Sequence, residues 1–157
     1  MVDRPAPLRV LVVDDSVVAR RYLLEVLDTI AGIETVGSAH DACSARDRII
    51  ERTPGVLTLD LNMPGTNGLS FLESLMRWHP MPVIVISDLI NDGSHAGACA
   101  NAVGAVAAVA KPGGGPEEHT RFRQALTEAL CLAATAIKRQ EADARPATDR
   151  PGVIKPS

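Results

Sequence analysis

Short apolar runs alternate along this chain with segments whose apolar residues recur every three or four positions. A short run rich in Val, Ile and Leu is typical of a strand covered on both faces, and a period near 3.6 is typical of a helix with one buried side. The runs predict strands at 8–13, 33–39, 56–60, 81–87 and 105–110. The periodic segments predict helices at 19–30, 41–52, 69–78, 94–103 and 117–140, with Asp41 as the N-cap of the second helix.

Five strands that alternate with five helices indicate repeated βαβ units. Because such connections place each helix against the sheet, the predicted fold class is α/β, a doubly wound five-stranded parallel sheet with helices on both faces. The pattern covers residues 8–140, and a length of 157 residues suits one domain. Residues 1–7 are expected to be an N-terminal tail. Residues 141–157 contain three prolines without periodicity, and we expect a linker or a disordered end there.

The charge and the cysteines of the chain exclude several function classes. A net charge of −3 offers no basic surface for nucleic acid or anionic membrane. The longest apolar or glycine run, AVGAVAAVA, is too short to span a bilayer, and the N-terminus lacks the apolar segment of a signal peptide. Cys43, Cys99 and Cys131 form no CxxC pair, so reduced thiols are expected. The sequence therefore predicts a soluble, cytoplasmic protein without membrane insertion or nucleic-acid binding.

Polar side chains follow the carboxyl ends of four predicted strands. The first strand ends in Asp14 and Asp15, the third in Asp60, the fourth in Ser87, and the fifth in Lys111. In an open parallel sheet these ends meet at one rim, where ligands bind. Each residue has an ordinary alternative, since Asp and Ser cap helices and turns and a strand-end Lys is commonly solvated. All four positions together favour a shared acidic pocket.

Three carboxylates at one rim would repel one another unless a cation lies between them. Mg²⁺ prefers oxygen ligands at about 2.1 Å and retains waters that phosphate oxygens can replace. A carboxylate beside such an ion can attack phosphorus, and a Lys can neutralise the transferred group. The sequence therefore predicts an acidic pocket that binds Mg²⁺ as cofactor and accepts a phosphoryl group, with Ser87 and Lys111 at its rim.

The motifs VLVVDDS, LDLNMPGTNG, VIVIS and VAKP resemble those of the receiver domains of two-component response regulators, across about 8–140. The run GVLTLDLNMPGTNGLSFLESLMRWHPMPVIVIS is similar to the receiver of the chemotaxis protein-glutamate methylesterase. The resemblance implies the flavodoxin-like (βα)5 receiver fold. It also implies a phosphorylation-controlled switch whose partners are a sensor histidine kinase of the chemotaxis type and a downstream effector protein or domain.

The resemblance also implies roles for individual residues. Asp60 would carry the phosphoryl group, and Asp15, Asp60 and the main-chain carbonyl of Asn62 would bind Mg²⁺, with Asp14 acting through water. Ser87 and Lys111 would contact the phosphoryl group. The peptide bond from Lys111 to Pro112 occupies a position that is typically cis in the family.

Two departures from the family pattern leave alternatives open. Ala108 stands where many receivers carry the aromatic side chain that relays phosphorylation, so a receiver-shaped binding module with little phosphotransfer is one alternative. No methylesterase domain follows, so the chain as given is not expected to be an enzyme, and it is either a regulatory fragment or a free-standing regulator.

A phosphatase of the haloacid dehalogenase type would need an acid where Asn62 stands. His40, His79, His95 and His119 lack metal-ligand spacing and are expected to be surface or packing residues.

Overall fold

The computed structural model of the chain describes residues 6–63, 65–90 and 95–144. The elements run in the order β1 Leu8–Val13, α1 Val17–Asp28, β2 Ile33–Ala39, α2 Ala42–Arg52, β3 Val56–Leu59, β4 Asn62–Met63, β5 Thr66–Asn67, α3 Gly68–Trp78, β6 Val83–Ser87, α4 His95–Val103, β7 Ala107–Ala110 and α5 Pro116–Ala144. No helix within these ranges is both long and apolar enough to cross a membrane.

Five strands form one parallel sheet in the order β2-β1-β3-β6-β7. The chain moves from β1 to one neighbour, β2, and then returns to the other side of β1 for β3. The order of the strands therefore reverses at β1 and β3, and ligands bind beyond the carboxyl ends of strands at such a reversal. The sheet confirms the predicted α/β class and the doubly wound, flavodoxin-like topology.

Helices cover both faces of the sheet, because alternate strand residues point to opposite sides. On β3, Leu57 and Leu59 join a core layer beneath α2, α3 and α4. Val56, on the same strand, joins a second layer beneath α1 and α5. β1, β3 and β6 are sheet-interior strands buried almost throughout, as their near-continuous apolar runs predict.

Local sequence signals fix the starts of the first three helices. The side chain of Ser16 accepts the backbone N–H of Ala19 at the start of α1. Asp41 accepts the N–H of Ser44 at 2.7 Å, which confirms the predicted N-cap of α2. That N–H bond also lowers the pKa of the Asp41 carboxyl. Asn67 caps α3 through the N–H groups of Leu69 and Ser70.

The structure differs from the sequence prediction at several element ends. β4 and β5 form a short antiparallel pair that was not predicted, because two-residue strands have no readable period. Gly65 lies between them with φ of 73°, a conformation that glycine adopts without strain. β6 and β7 begin two residues later than predicted, at Val83 and Ala107, and α5 continues to Ala144 instead of ending near 140. Residues 141–144 of the predicted tail at 141–157 belong to α5. The rest of that tail, 145–157, lies outside the described residues, as do 1–5 of the N-terminal tail and Ser94 at the predicted start of the fourth helix.

Candidate functional site

The predicted site residues meet at the rim formed by the carboxyl ends of the strands. Sheet hydrogen bonds continue just past the strands and hold their ends in register. The N–H of Asp14 bonds to the carbonyl of Ala39 at 3.0 Å, and that of Asp60 bonds to Val13 at 3.0 Å. The N–H of Lys111 bonds to the carbonyl of Ser87 at 3.2 Å. The sheet register therefore brings side chains that are far apart in sequence to one place.

Three carboxylates form the acidic part of the site. Asp14, Asp15 and Asp60 each offer an oxygen, and these atoms lie within 4.8 Å of one another. Asp14 is 1% exposed and Asp60 is 3% exposed, whereas Asp15 is partly exposed. Buried carboxylates at this separation repel one another strongly, so a cation bound among them would stabilise the site.

Lys111 supplies one positive charge directly between two of the carboxylates. Its Nζ lies 2.9 Å from Oδ2 of Asp14 and 2.9 Å from Oδ2 of Asp60. Burial by itself would lower the pKa of Lys111, but its contacts with the two carboxylates outweigh burial and raise that pKa. The side chain is only 15% exposed, so Lys111 is not the solvated strand end that the residue alone suggests.

Asp14 is the least satisfied of the three carboxylates. Its Oδ1 accepts the N–H of Ser16 at 2.9 Å. Its Oδ2 contacts Lys111 as an ion pair but receives no hydrogen bond of good geometry from the described residues. Burial raises the pKa of the Asp14 carboxyl, and the contacts with Lys111 and Ser16 reduce the rise without cancelling it. An ionised Asp14 therefore has a lone pair free for a further cationic partner.

The loop after β3 holds Asp60 through its backbone. Oδ1 of Asp60 accepts the N–H of Asn62 at 3.0 Å, and Oδ2 accepts from Lys111. The bond from Asn62 turns the chain so that this residue also lines the cleft above the site. Gly68 closes the loop, since its N–H bonds to the carbonyl of Leu61.

Ser87 lies at the end of β6, paired with Ala110, the residue of β7 that precedes Lys111, but it is fully buried. Its hydroxyl oxygen accepts the N–H of Leu89 at 3.3 Å. Ser87 does not line the cleft, whereas Asp15, Asp60, Asn62 and Lys111 do. The predicted contact of Ser87 with a phosphoryl group would therefore need a change at the β6–α4 junction.

A cleft of about 460 Å³ opens over Asp60 between α1 and α5. None of the apolar residues that line this cleft was predicted from the sequence to belong to the site. Tyr22 and Phe122 occupy helix positions with the spacing of core residues, and His119 was expected to be a surface or packing residue. Only the packing of α1 beside α5 shows that these rings face the cleft. Pro112 also lines it, and the Lys111–Pro112 peptide bond is trans, so the expectation of a cis bond there is wrong.

Ala108 lies on β7, the edge strand of the sheet, where it is partly buried. It lines a second cleft of about 580 Å³, together with Ile90 and Phe122. No large side chain occupies its position, so the usual aromatic relay has no counterpart at Ala108 in the structure. Any transmission of a signal from the acidic site must use other groups.

The fold and the acidic rim agree with a comparison of the sequence with protein families. The model of the response regulator receiver domain matches residues 10–138. The chain therefore belongs to the family of response regulator receiver domains. Within it, the chain is similar to the receivers of protein-glutamate methylesterases. It is 51% identical over 106 residues to protein-glutamate methylesterase/protein-glutamine glutaminase 2 of Xanthomonas oryzae pv. oryzae, a match that covers 68% of this chain and 30% of that relative.

Two further comparisons give the same branch of the family. Protein-glutamate methylesterase/protein-glutamine glutaminase 4 of Anaeromyxobacter dehalogenans is 48% identical over 109 residues, covering 69% of this chain and 31% of the relative. The response regulator domain of Thermotoga maritima CheB superposes with a TM-score of 0.73 at 32% identity, covering 82% of this chain and 97% of that domain. The match thus spans about 30% of the length of the curated methylesterases and corresponds to their receiver part.

Proposed function

We propose that this receiver is a phosphorylation-controlled switch in which Asp60 accepts a phosphoryl group from a histidine kinase in the presence of Mg²⁺. One observation carries the proposal. The buried carboxylate of Asp60 lies within 4.8 Å of two other carboxylates and 2.9 Å from the ammonium of Lys111, and Asp60 lines an open cleft. A structural aspartate needs neither the neighbouring carboxylates nor access to a cleft.

The residues at the rim suit the transfer of a phosphoryl group. An oxygen of Asp60 would attack phosphorus while the bond from phosphorus to the donor atom breaks. Lys111 already contacts Asp60 and would pair with an oxygen of the transferred group. Because the site is mostly buried, this charge pairing is stronger than it would be in water.

The residues present also fit Mg²⁺. Oδ2 of Asp14 is buried and, apart from its ion pair with Lys111, receives no hydrogen bond of good geometry from the described residues. The three carboxylates give an oxygen-only ligand set. Asp15, Asp60 and the main-chain carbonyl of Asn62 would hold the ion, with Asp14 beside them. When bound, Mg²⁺ would neutralise carboxylate charge and the charge of the incoming phosphoryl oxygens.

The methylesterase relatives support a place in chemotaxis signalling. We propose a sensor histidine kinase of the chemotaxis type as the phosphodonor and a downstream effector protein or domain as the recipient of the signal, both in the cytoplasm. A second candidate function is that of the regulatory part of a protein-glutamate methylesterase. It is favoured by identities near 50% to methylesterases over the receiver part. In either case this receiver would be the part that is switched, without the hydrolase chemistry.

Intact-mass measurement after incubation with acetyl phosphate tests the proposal. We expect one added phosphoryl group with Mg²⁺ and none with a chelator in excess. Asp60→Asn should abolish the label, whereas Asp28→Asn, an exposed carboxylate at the end of α1, should leave it unchanged. Equal labelling of Asp60→Asn and the wild type would refute Asp60 as the acceptor.

Ser87 and Lys111 are proposed to report the phosphoryl group. Lys111 contacts Asp60 directly, and the bond from its N–H to the carbonyl of Ser87 joins the ends of β6 and β7. A phosphoryl group that draws the Ser87 hydroxyl away from Leu89 would move the junction between β6 and α4. The phosphate analogue beryllofluoride should therefore shift NMR signals of residues 87–90 in the wild type and shift them less in Ser87→Ala.

A further inference from the structure

Three rings from two helices form one side of the cleft over Asp60. Tyr22 belongs to α1, and His119 and Phe122 belong to α5. The rings of Tyr22 and His119 meet edge to face with centroids 5.0 Å apart, and those of Tyr22 and Phe122 are 5.8 Å apart. We call these three residues the aromatic wall. In a chain with one Tyr, two Phe and one Trp, this is a marked concentration of aromatic side chains.

The aromatic wall is fixed in place before any ligand binds. The Tyr22 hydroxyl hydrogen-bonds to Nδ1 of His119, which ties α1 to α5 across the cleft. Phe122 is 3% exposed, and its ring packs against the Tyr22 ring in a tilted arrangement. Tyr22 and His119 are partly exposed, so their rings combine a fixed position with a surface that a ligand can reach.

The cleft therefore has two chemically different ends. Asp60 and Lys111 provide charge for a phosphoryl group, and the aromatic wall provides ring faces and edges for an apolar, flat group. A phosphodonor consists of the same two parts, a phosphoryl group and a leaving group. A donor whose leaving group is a ring would occupy both ends of the cleft at once.

We propose that the aromatic wall binds the leaving-group ring of an N-phosphorylated imidazole while Asp60 attacks its phosphorus. The inference rests on the proposed function and adds a specificity-determining role for Tyr22 and His119. In the transfer, an oxygen of Asp60 forms a bond to phosphorus and the P–N bond of the donor breaks. The electron pair of that bond stays on the ring nitrogen, and the released ring takes one proton from water.

A purely structural role for the aromatic wall predicts a different result. If the three rings serve only to pack α1 against α5, loss of one ring impairs the site equally for every donor. If the wall binds the leaving group, the loss affects only donors that carry a ring. Phosphoimidazole and phosphoramidate form a matched pair for this distinction, since both transfer from a P–N bond and only the former carries a ring.

The experiment measures the rate of Asp60 labelling by each donor, with Mg²⁺, in the wild type and in variants of Tyr22. The ratio of the phosphoimidazole rate to the phosphoramidate rate cancels the intrinsic reactivity of each donor when variants are compared. In Tyr22→Leu we expect this ratio to fall about two- to tenfold, the size of one ring–ring contact. In Tyr22→Phe, which retains the ring, the ratio should stay near that of the wild type.

The phosphoramidate rate shows whether each variant still has a working site. An unchanged ratio in Tyr22→Leu, with phosphoramidate labelling intact, overturns the inference and leaves the proposed function standing. If Tyr22→Leu labels with neither donor, the same ratio in His119→Leu, at a partly exposed position, decides instead. If neither donor labels the wild type, the proposed function fails, and the inference fails with it.

Discussion

Single residues of the acidic site oppose the stability of the fold. Asp14 is 1% exposed, and burial raises the pKa of its carboxyl even though Lys111 lies 2.9 Å away. One ammonium shared by Asp14 and Asp60 cannot neutralise both, and Asp15 adds a third charge nearby. A site that binds cations and anions in turn is expected to hold such uncompensated charge, because full pairing within the protein would leave nothing for a ligand.

We predict that Asp14→Asn is more stable than the wild type at pH 7 in the absence of Mg²⁺. Removing the buried charge removes its desolvation cost, and each kcal/mol gained should raise the melting temperature by about 2–4 °C for a chain of this size. Since the folded-state pKa lies above the unfolded value of 3.8, protonation stabilises the folded wild type. The wild type should therefore regain stability relative to Asp14→Asn as the pH falls from 7 through that raised pKa towards 3.8.

Thermal melts at several pH values and Mg²⁺ concentrations check this prediction. Mg²⁺ should raise the melting temperature of the wild type more than that of Asp14→Asn, and Asp28→Asn serves as the surface control. A lower melting temperature for Asp14→Asn at every pH would contradict the sign of the effect.

At the scale of elements, the loop between β3 and α3 positions Asp60 by close backbone approach. A Cβ atom added at Gly68 would lie 2.4 Å from Cα and 2.6 Å from the carbonyl oxygen of Leu61, which follows Asp60 in sequence. Neither contact can be relieved by turning a side chain. A side chain at position 68 would therefore force the start of α3 and the backbone of Leu61 apart.

We predict that Gly68→Ala destabilises the fold by about 1–3 kcal/mol, the usual cost of overpacking, and slows labelling of Asp60. The clash must push apart the start of α3 and the segment that carries Asp60. Denaturant unfolding and acetyl phosphate labelling measure the two effects. Ser70→Ala, at an exposed position of the same helix, is the matched control. Wild-type stability and labelling in Gly68→Ala would show that the loop yields at little cost.

α4 differs from the other helices in how few of its side chains are buried. Among its residues only Ala100 is buried, whereas α3 buries Gly68, Phe71, Leu72 and Leu75. Small buried area means a low cost of local opening. Because Ala108 offers no aromatic relay, we expect α4, the helix that follows Ser87 in the chain, to be the element that phosphorylation would move most easily.

We predict that beryllofluoride with Mg²⁺ changes hydrogen exchange across 88–103, with α4 the largest part. The described parts of this segment are 88–90 and 95–103. A phosphoryl mimic that contacts Ser87 would shift the equilibrium of a weakly held helix. Mass-spectrometric exchange on the wild type, with Asp60→Asn and α2 as references, provides the measurement. Changes restricted to the immediate neighbours of Asp60 would rule out α4 as the relay.

At the scale of the whole molecule, two core layers share one sheet. Leu72 on α3 belongs to the layer beneath α2, α3 and α4, and Leu126 on α5 belongs to the layer beneath α1 and α5. Both side chains have no exposed surface. Since each layer packs against the same five strands, neither can be lost without uncovering the sheet that supports the other.

We predict that Leu72→Ala and Leu126→Ala each cost about 2–5 kcal/mol and that both variants unfold in a single transition. Calorimetry compares the measured enthalpy with the van't Hoff enthalpy, and Leu132→Ala, 55% exposed on α5, should change little. Two separate transitions in either variant would show that the layers unfold independently.

Much of this protein could be predicted from its sequence, because the relevant signals are local. Apolar runs and helical periods determined the five sheet strands and five helices, and Asp41 determined the start of α2. The parallel order then requires strand ends to share a rim, so Asp14, Asp15, Asp60 and Lys111 could be grouped from the sequence alone. The alternation of apolar and polar residues could not reveal β4 and β5, since a strand of two residues is too short to show a repeating pattern.

Only the tertiary structure decided what depends on the spacing between elements. The Nζ atom of Lys111 lies 2.9 Å from Oδ2 of both Asp14 and Asp60, and the Ser87 hydroxyl turns to Leu89 instead of the cleft, which no strand pattern specifies. The aromatic wall likewise depends on the spacing between elements. Tyr22 and Phe122 carry the helical spacing of core residues, and whether such a ring ends in a core or beside a cleft depends on how closely α1 and α5 approach each other. The sequence by itself thus determined the elements and the acidic rim. Packing between distant segments decided which groups face the carboxylate of Asp60.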